Sequence, residues 1–525
     1  MNLTEAQVGI ATLLDHYRKC GIYLHVKNGE LGYRVAKGVM TPEIISAIRT
    51  RKSEILQYLS RLEASRFHTT PTSEKRAQLF NRFLWKDYAN RIMEVSSANV
   101  TRIVKRYKGE MLTDVLLQSV NVLLGRHDTL SSSIETMEGT LYLVCHEKVS
   151  VAFQEYVAKG ATPQQIEEDA YRIANDLVWK EYDLDNGPLY RIFLVRISYT
   201  DYILGVALHH AIGDLLSIGI MYHDLLSIYH SIVNSIPLRL TPIRLRYIDY
   251  LVAMDAWSTS AACEEQIKYW KDKLKSTPVT DLLPDGNRAL DGTITESTAE
   301  VNLLLDDEIS RALKEMAVQL KTTLFTVLIA IYKIAIWRMT GQEDVVVVAL
   351  HAGRLDAGFQ NTIGDFALEV AYKTSLAECP SFKELIGRVI HTINEANSHQ
   401  PVPLDWVRHA LAEEGVPFLA PGINFMPGGN NTQNPLEPRP LSFTPPGTRH
   451  GCHGFKVSCA IEFRDGNDAI EGSMIYRNDL YKESTIREFT NCFYQTVSDV
   501  IRFPEKELNS LKLSEAGQFE RSVEL

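Results

Sequence analysis

Leu204-Gly205-Val206-Ala207-Leu208-His209-His210-Ala211-Ile212-Gly213-Asp214 is the stretch that decides how this chain is read. A short run of apolar and small residues has the look of a buried strand, and it stops at two imidazoles. A histidine at a strand end, open to a cleft, can hold or move a proton near neutral pH. Asp214, four residues after the second histidine, is close enough in sequence to anchor the loop that aims the ring. Gly213 would give that loop backbone freedom. Histidine pairs on their own are more often structural than catalytic, so the rest of the chain has to decide.

Bulk properties narrow the field. A chain of 525 residues is too long for one ordinary core, so two or three packing units are expected, and 45% hydrophobic content is ample to fill them. A net charge of -10 with no basic stripe argues against nucleic acid as a partner. The N-terminus runs straight into an amphipathic helix and lacks the charged-then-apolar layout of a secretion signal. The longest apolar run, Leu324 to Trp337, is shorter than a bilayer crossing and contains Lys333, which predicts a buried helix and no membrane partner. Seven scattered cysteines with no Cys-x-x-Cys pair suit reduced thiols and a cytoplasmic location. His450, Cys452 and His453 lie too close in sequence to close a tetrahedral metal site, so no metal is expected.

Residues from about 3 to 63 read as a small unit of their own. A first helix from Thr4 to about Cys20, with Val8, Ile10, Leu13, Leu14 and Tyr17 on one face, stops at Gly21. Ile22 to Val26 and Leu31 to Val35 then flank Lys27-Asn28-Gly29-Glu30, where Asn-Gly suits a tight hairpin turn. Thr41-Pro42-Glu43 supplies a helix start, followed by an apolar face of Ile44, Ile45, Ile48, Ile55, Leu56 and Leu59. An isolated hairpin leaves an edge unpaired, and an added extended peptide would satisfy it. Arg34 and Lys37, with Lys27 near the turn, would favour an acidic one.

Ala64 to Thr72 reads as a linker. Beyond it, helical and β-rich segments alternate, an α/β pattern with mixed pairing. Expected elements are an apolar helix ending at Gly125, paired strands at Leu189 to Ile197 and Tyr202 to His209, and a helix from Leu215 to Ile232. The second half predicts a long helix around Thr322 to Met339, a buried strand Val345 to Leu350 and hairpin strands within Ile461 to Tyr476. Pro- and Gly-rich Pro427 to Gly454 reads as a loop and part of a lobe-bridging element.

Further motifs accompany His209-His210-x-x-x-Asp214. They are Arg126-His127-Asp128-Thr129-Leu130, Glu181-Tyr182-Asp183-Leu184 through Arg191, Tyr247-Ile248-Asp249-Tyr250, Tyr269-Trp270-Lys271, Thr340 to Asp344, Ala352-Gly353-Arg354, Ile363-Gly364-Asp365-Phe366 and His399-Gln400-Pro401. In this order, over nearly all of the chain after about residue 70, they resemble the motifs of the condensation domains of non-ribosomal peptide synthetases. The N-terminal unit resembles the β-hairpin docking domains first recognised in the tubulysin pathway.

The resemblance implies two chloramphenicol-acetyltransferase-like lobes in a V, preceded by an α-β-β-α-α docking domain: docking at 1–63, linker at 64–72, lobes at 73–255 and 256–525. It implies transfer of an acyl or peptidyl group from a carrier-protein phosphopantetheine thioester to an amine, giving an amide. Ester formation with an alcohol, or a non-catalytic carrier-recruiting platform, are the alternatives. By the same resemblance His210 acts as base or positioner, His209 and Gly213 support the site, and Asp214 pairs with Arg354. Lys27, Tyr33, Arg34, Val35 and Lys37 would meet the tail of an upstream synthetase subunit. Partners would be a donor carrier protein and a carrier-bound or free acceptor, with no cofactor bound directly.

Several positions depart from the family's pattern. Leu215 stands where the family has glycine, adding bulk where substrate or the phosphopantetheine arm passes. Ala367-Leu368-Glu369 replaces the usual Val-Asn-Thr, and Ser73 to Phe80 matches the opening motif poorly. His399-Gln400-Pro401 lacks the aspartate and phenylalanine that usually follow.

Overall fold

Strand β9, Asp201–His209, is buried at every one of its residues, and the architecture of the first half explains why. It lies inside a five-stranded sheet of order β14-β4-β9-β8-β7, described below, with helices packed on both faces. A strand covered on both sides reads as a continuous apolar run, which is what Tyr202 to Leu208 shows. The computed structural model describes residues 10, 13–14, 17, 22–27, 30–35, 40–64, 69–79, 100–147, 151–276, 298–399, 402–416, 418–426, 439–440, 459–465, 469–505 and 507–508.

In the N-terminal unit, β1 (Ile22–Lys27) and β2 (Glu30–Val35) form a two-stranded antiparallel sheet. Lys27 faces Glu30 at its closed end, which leaves Asn28-Gly29 as the connection. Helices α1 (Pro42–Thr50) and α2 (Lys52–Ala64) follow. Thr41 caps α1, its Oγ1 accepting from the Ile44 amide at 3.4 Å. Leu13, Leu14, Tyr17, Ile22, Ile55 and Leu59 make the unit's own core. Ile45, expected on the buried face, is exposed. Of the expected first helix, residues 10, 13, 14 and 17 are described and helical, and Gly21 lies outside the described residues.

The main body begins with β3 (Arg76–Gln78), which joins β5 (Ser132–Met137) and β6 (Thr140–Cys145) in a three-stranded sheet. The five-stranded sheet takes β4 (Val100–Lys108), β7 (Phe153–Val157), β8 (Tyr190–Ser198) and β9. Helix α3 (Thr113–Arg126) and helix α5 (Leu215–Val233) pack against each other, with α5 on β4 and β9, and α4 (Pro163–Val178) packs on β8 and β9. Helix α3 continues through Gly125, where it was expected to end. Glycine is tolerated inside a helix, and termination comes instead from the extended backbone of His127 (φ -117°, ψ 97°).

Helices α6 (Tyr247–Ser258) and α7 (Ala261–Lys275) lead to the second half. The expected division between residues 255 and 256 falls inside α6, whose Tyr247, Ile248 and Tyr250 are core residues. A six-stranded sheet of order β10-β16-β15-β13-β11-β12 dominates this half. Its strands are β10 (Thr298–Leu305), β11 (Asp344–His351), β12 (Leu368–Ser375), β13 (Gly422–Met426), β15 (Cys459–Asp465) and β16 (Ile470–Arg477). The short strand β14 (Arg439–Pro440) pairs with β4 instead, Arg439 opposite Arg106 and Pro440 opposite Lys105. Of the Pro- and Gly-rich stretch, residues 439–440 are described, and they lie on the edge of the first half's sheet. His450, Cys452 and His453 lie outside the described residues.

Helix α8 (Leu324–Thr340) is the expected apolar helix, and Thr326 through Trp337 are all buried. Among the described residues no single helix is long and apolar enough to cross a membrane. Lys333, fully buried in α8, donates from Nζ to the carbonyls of Val345 at 2.7 Å and Tyr372 at 2.6 Å. Burial, and then the charge of Lys273, hold its pKa well below the usual lysine value. Because the folded value is depressed, its contribution to stability is complete only above the unfolded pKa and is lost as pH falls through the folded one. Lys333→Met should therefore show a smaller rise in unfolding free energy between about pH 8 and 10 than the parent protein, measured by urea titration.

Candidate active site

His209 and His210 are adjacent, yet their surroundings differ completely. The His209 ring is fully buried, its Nδ1 accepting from the Ala211 amide at 3.3 Å. Tyr182 stands edge-on to it at 5.6 Å between ring centroids. The Arg191 guanidinium lies over Tyr182 at 4.3 Å and donates to the carbonyls of Leu177 (2.7 Å), Lys180 (3.1 Å) and Glu181 (3.2 Å). The Glu181 to Arg191 motif is thus a wall that braces His209. Burial, then the neighbouring His210 charge, push the His209 pKa down to about 3, so this ring is neutral near pH 7.

His210 opens a short 3-10 turn, His210–Ile212, and keeps 34% of its side chain accessible. Its Nδ1 is buried and sits 3.4 Å from Asp365 Oδ2. Burial opposes charge on the ring, but the Asp365 carboxylate, with a smaller contribution from Asp214, outweighs it and raises the pKa to about 9. A folded value above the ordinary one of about 6.5 means that this pairing stabilises fully below that pH and loses its effect as pH rises through about 9. Nδ1 makes no well-formed hydrogen bond among the described residues, and Nε2 is the ring's other nitrogen.

Asp214 is the N-cap of α5 and is engaged at both oxygens. Oδ1 accepts from the Ser217 amide and lies 2.8 Å from Ser217 Oγ, and Oδ2 accepts from the Phe366 amide at 3.1 Å. Arg354 grips it with two parallel bonds, Nη1 to Oδ2 at 2.8 Å and Nη2 to Oδ1 at 3.1 Å. The same guanidinium donates to Ser217 Oγ (3.0 Å) and to the Thr362 carbonyl (3.2 Å), and lies over the Phe366 ring at 4.6 Å. Gly364 closes the knot: its amide donates to Ser217 Oγ at 3.0 Å and its carbonyl accepts from the Asp214 amide at 3.3 Å. Gly353 is needed beside Arg354, since its φ is +62° and a Cβ there would stand 1.5 Å from the Phe366 carbonyl oxygen.

The structure therefore brings His209, His210, Gly213, Asp214 and Arg354 together. Gly213 does so for a reason other than the expected one. Its φ of -169° is extended backbone open to any residue, but a Cβ would come within 2.6 Å of Leu208 Cδ1. Space, not backbone freedom, requires glycine. Leu215 and Leu216 are exposed on the first turn of α5. The motifs at Tyr269-Trp270 and His399 also meet, through rings stacked at 3.5 Å and a bond from Trp270 Nε1 to the His399 carbonyl at 2.9 Å. Arg126, His127 and His223 converge on Asp224. Burial works against that charge, but their hydrogen bonds outweigh it and hold the pKa down at about 2.

Sequence reading missed Asp365 and Ser217 as site residues. Asp365 lies inside the Ile363 to Phe366 motif, and one acidic residue in a loop has no periodic cue to set it apart. In the hairpin, Tyr33 is exposed, Lys27, Arg34 and Val35 hold places in the β1–β2 ladder, and Lys37 lies outside the described residues.

A family model described as the condensation domain matches residues 88–521, and one described as the TubC N-terminal docking domain matches residues 10–61. A linear gramicidin synthase polypeptide of Brevibacillus parabrevis is 29% identical over 322 residues, which is 61% of this chain and 6% of that protein. Surfactin synthase subunit 2 of Bacillus subtilis (strain 168) is 26% identical over 431 residues, 82% of this chain and 11% of that protein. The chain thus spans a small fraction of the curated relatives it matches. Among solved structures, the one described as the molecular basis for condensation domain-mediated chain release from the enacyloxin polyketide synthase superposes with a TM-score of 0.69 at 19% identity, covering 100% of both chains. The EpoB cyclization-docking bidomain from Sorangium cellulosum gives 0.66 at 18% identity, covering 94% of this chain and 98% of that one.

Removing one member of a buried ion pair leaves the other uncompensated. Arg354→Met or Asp214→Asn should each cost about 3–5 kcal/mol in urea unfolding, and the double variant should cost clearly less than their sum. Additive losses would mean that the two residues are not coupled.

Proposed function

The chain belongs to the condensation-domain family, and from that premise we propose that it joins an acyl or peptidyl group to an amine, giving an amide. The donor would arrive as a thioester on the phosphopantetheine arm of a carrier protein. The amine nitrogen attacks the thioester carbonyl carbon, a C–N bond forms, the C–S bond breaks, and one proton passes from nitrogen to the departing sulfur. The observation that carries this reading is the partly accessible His210 ring held at a buried strand end by protein on its Nδ1 side. Holding two reactants at one ring can supply up to roughly 7–11 kcal/mol through alignment alone, so little covalent chemistry is asked of the protein. A ring already protonated near neutral pH favours positioning and proton donation over a resting general base.

The unit up to residue 63 would recruit an upstream synthetase subunit, its chain end adding as a strand beside the two-stranded sheet. Basic Lys27, Arg34 and Lys37 would select an acidic segment. Residues 64–72 would link this unit to two lobes that part near the α6–α7 junction.

His210→Ala should lower amide formation from an acyl-loaded carrier protein at least about 100-fold, followed by intact-mass spectrometry over a panel of amines and alcohols. Equal output from both proteins, above background, would remove His210 from the mechanism. The double charge reversal Arg34→Glu with Lys37→Glu should raise KM for a carrier bearing an acidic tail by at least about fivefold, leaving KM for a small thioester mimic unchanged. An equal rise for both donors would count against docking.

A further inference from the structure

Asp365 carries a question that the condensation chemistry has not absorbed. Only 13% of its side chain is accessible, and its Oδ1 is buried without a hydrogen-bond partner. Among the described residues its one ion-pair partner is His210. Burying a carboxylate costs several kcal/mol unless a charge compensates it, so a residue placed this way needs a reason.

Its neighbours show how firmly it is placed. Gly364 on one side bonds to Ser217 Oγ and to the Asp214 amide, and Phe366 on the other bonds to Asp214 Oδ2. The loop is tied again by Thr129 Oγ1, which donates to the Ile363 carbonyl at 3.0 Å, and by Thr362 Oγ1, which donates to the Leu245 carbonyl. The backbone that carries Asp365 is therefore tied on both sides of it. Asp214, by contrast, is enclosed by Arg354, Ser217 and Phe366, and has no free direction toward the ring.

We propose that Asp365 is the positioning carboxylate of this condensation site: its Oδ2 holds His210 by Nδ1, so that Nε2 is the ring atom presented to the reactants. This rests on the condensation reading. The consequence is a division of labour between two aspartates, Asp214 as scaffold and Asp365 as the partner of the working imidazole. In the transfer, Nε2–H gives its proton to the sulfur as the C–S bond breaks, and Nε2 then takes the proton released by the nitrogen, so the ring ends as it began. The 3.4 Å separation lies beyond a well-formed hydrogen bond, and such contacts tighten when reactants bind. The other titratable or charged groups around the ring are His209, held neutral by burial, the Asp214–Arg354 pair, and Tyr250, whose phenol is raised by burial and then by Asp365 and Asp214.

The test is a histidine-selective NMR titration of the full chain, with the resonance assigned by His210→Gln, run beside kcat and KM for transfer from an acyl-loaded carrier protein. In Asp365→Asn, which keeps the side-chain shape, the His210 midpoint should fall by about one pH unit or more. The kcat should fall at least about tenfold with KM within about twofold, and Asp365→Glu should recover part of both. An unchanged midpoint or an unchanged kcat in Asp365→Asn would overturn the proposal. So would a native His210 midpoint at or below about 6.5, which needs no variant at all. Because the titration is read on the resting protein, it judges the pairing separately from turnover. Absence of product from the native chain with every donor and acceptor would sink the condensation reading itself.

Discussion

The buried ion pair between Arg354 and Asp214 is the constraint on which the rest of the site depends. It joins residues 140 positions apart, one capping α5 in the first half and one just beyond β11 of the second half. Two charges with only 2% and 5% of their side chains accessible would be a heavy liability if left alone. Here both carboxylate oxygens and both terminal guanidinium nitrogens are engaged, through a bidentate clasp, a shared serine hydroxyl, two backbone amides and two carbonyls. A network satisfied to that extent is rigid, since moving any member uncovers another. It also adds little net stability over an apolar core, so its value lies in specifying one arrangement.

That arrangement turns two identical side chains into different chemical objects. His209 is the last residue of the strand and His210 opens the 3-10 turn that follows, so the adjacent imidazoles meet different surroundings. His209 turns inward against Tyr182 and loses its charge to burial. His210 turns toward the second half's loop and keeps its charge because a carboxylate lies beside it. Which ring keeps its charge is therefore set by which half of the chain it faces, and the facing loop is held by the Arg354 knot.

Much of the fold was legible in the chain's local chemistry. The continuous apolar run before His209 signalled a strand covered on both faces, and Thr41-Pro42 and Lys27-Asn28-Gly29-Glu30 signalled a capped helix and a hairpin through their backbone preferences. Misreadings were local and have local causes. Gly125 looked like a helix stop, but glycine only permits termination, and the extended His127 performs it. Gly213 looked like a hinge, but the Leu208 side chain across the turn is what excludes a Cβ.

By itself, the sequence determined the class of the fold, the extent of its main strands and helices, and the identity of the histidine pair. Those features rest on periodicity, capping and motif order, all of which act over a few residues. Only the tertiary structure decided that Asp365 faces His210, that Ser217 is shared between Asp214 and Arg354, and that residues 439–440 extend the first half's sheet. Each of those contacts spans a long loop or joins different halves of the chain. Which side chains meet there depends on packing of whole elements, a quantity that no local pattern encodes.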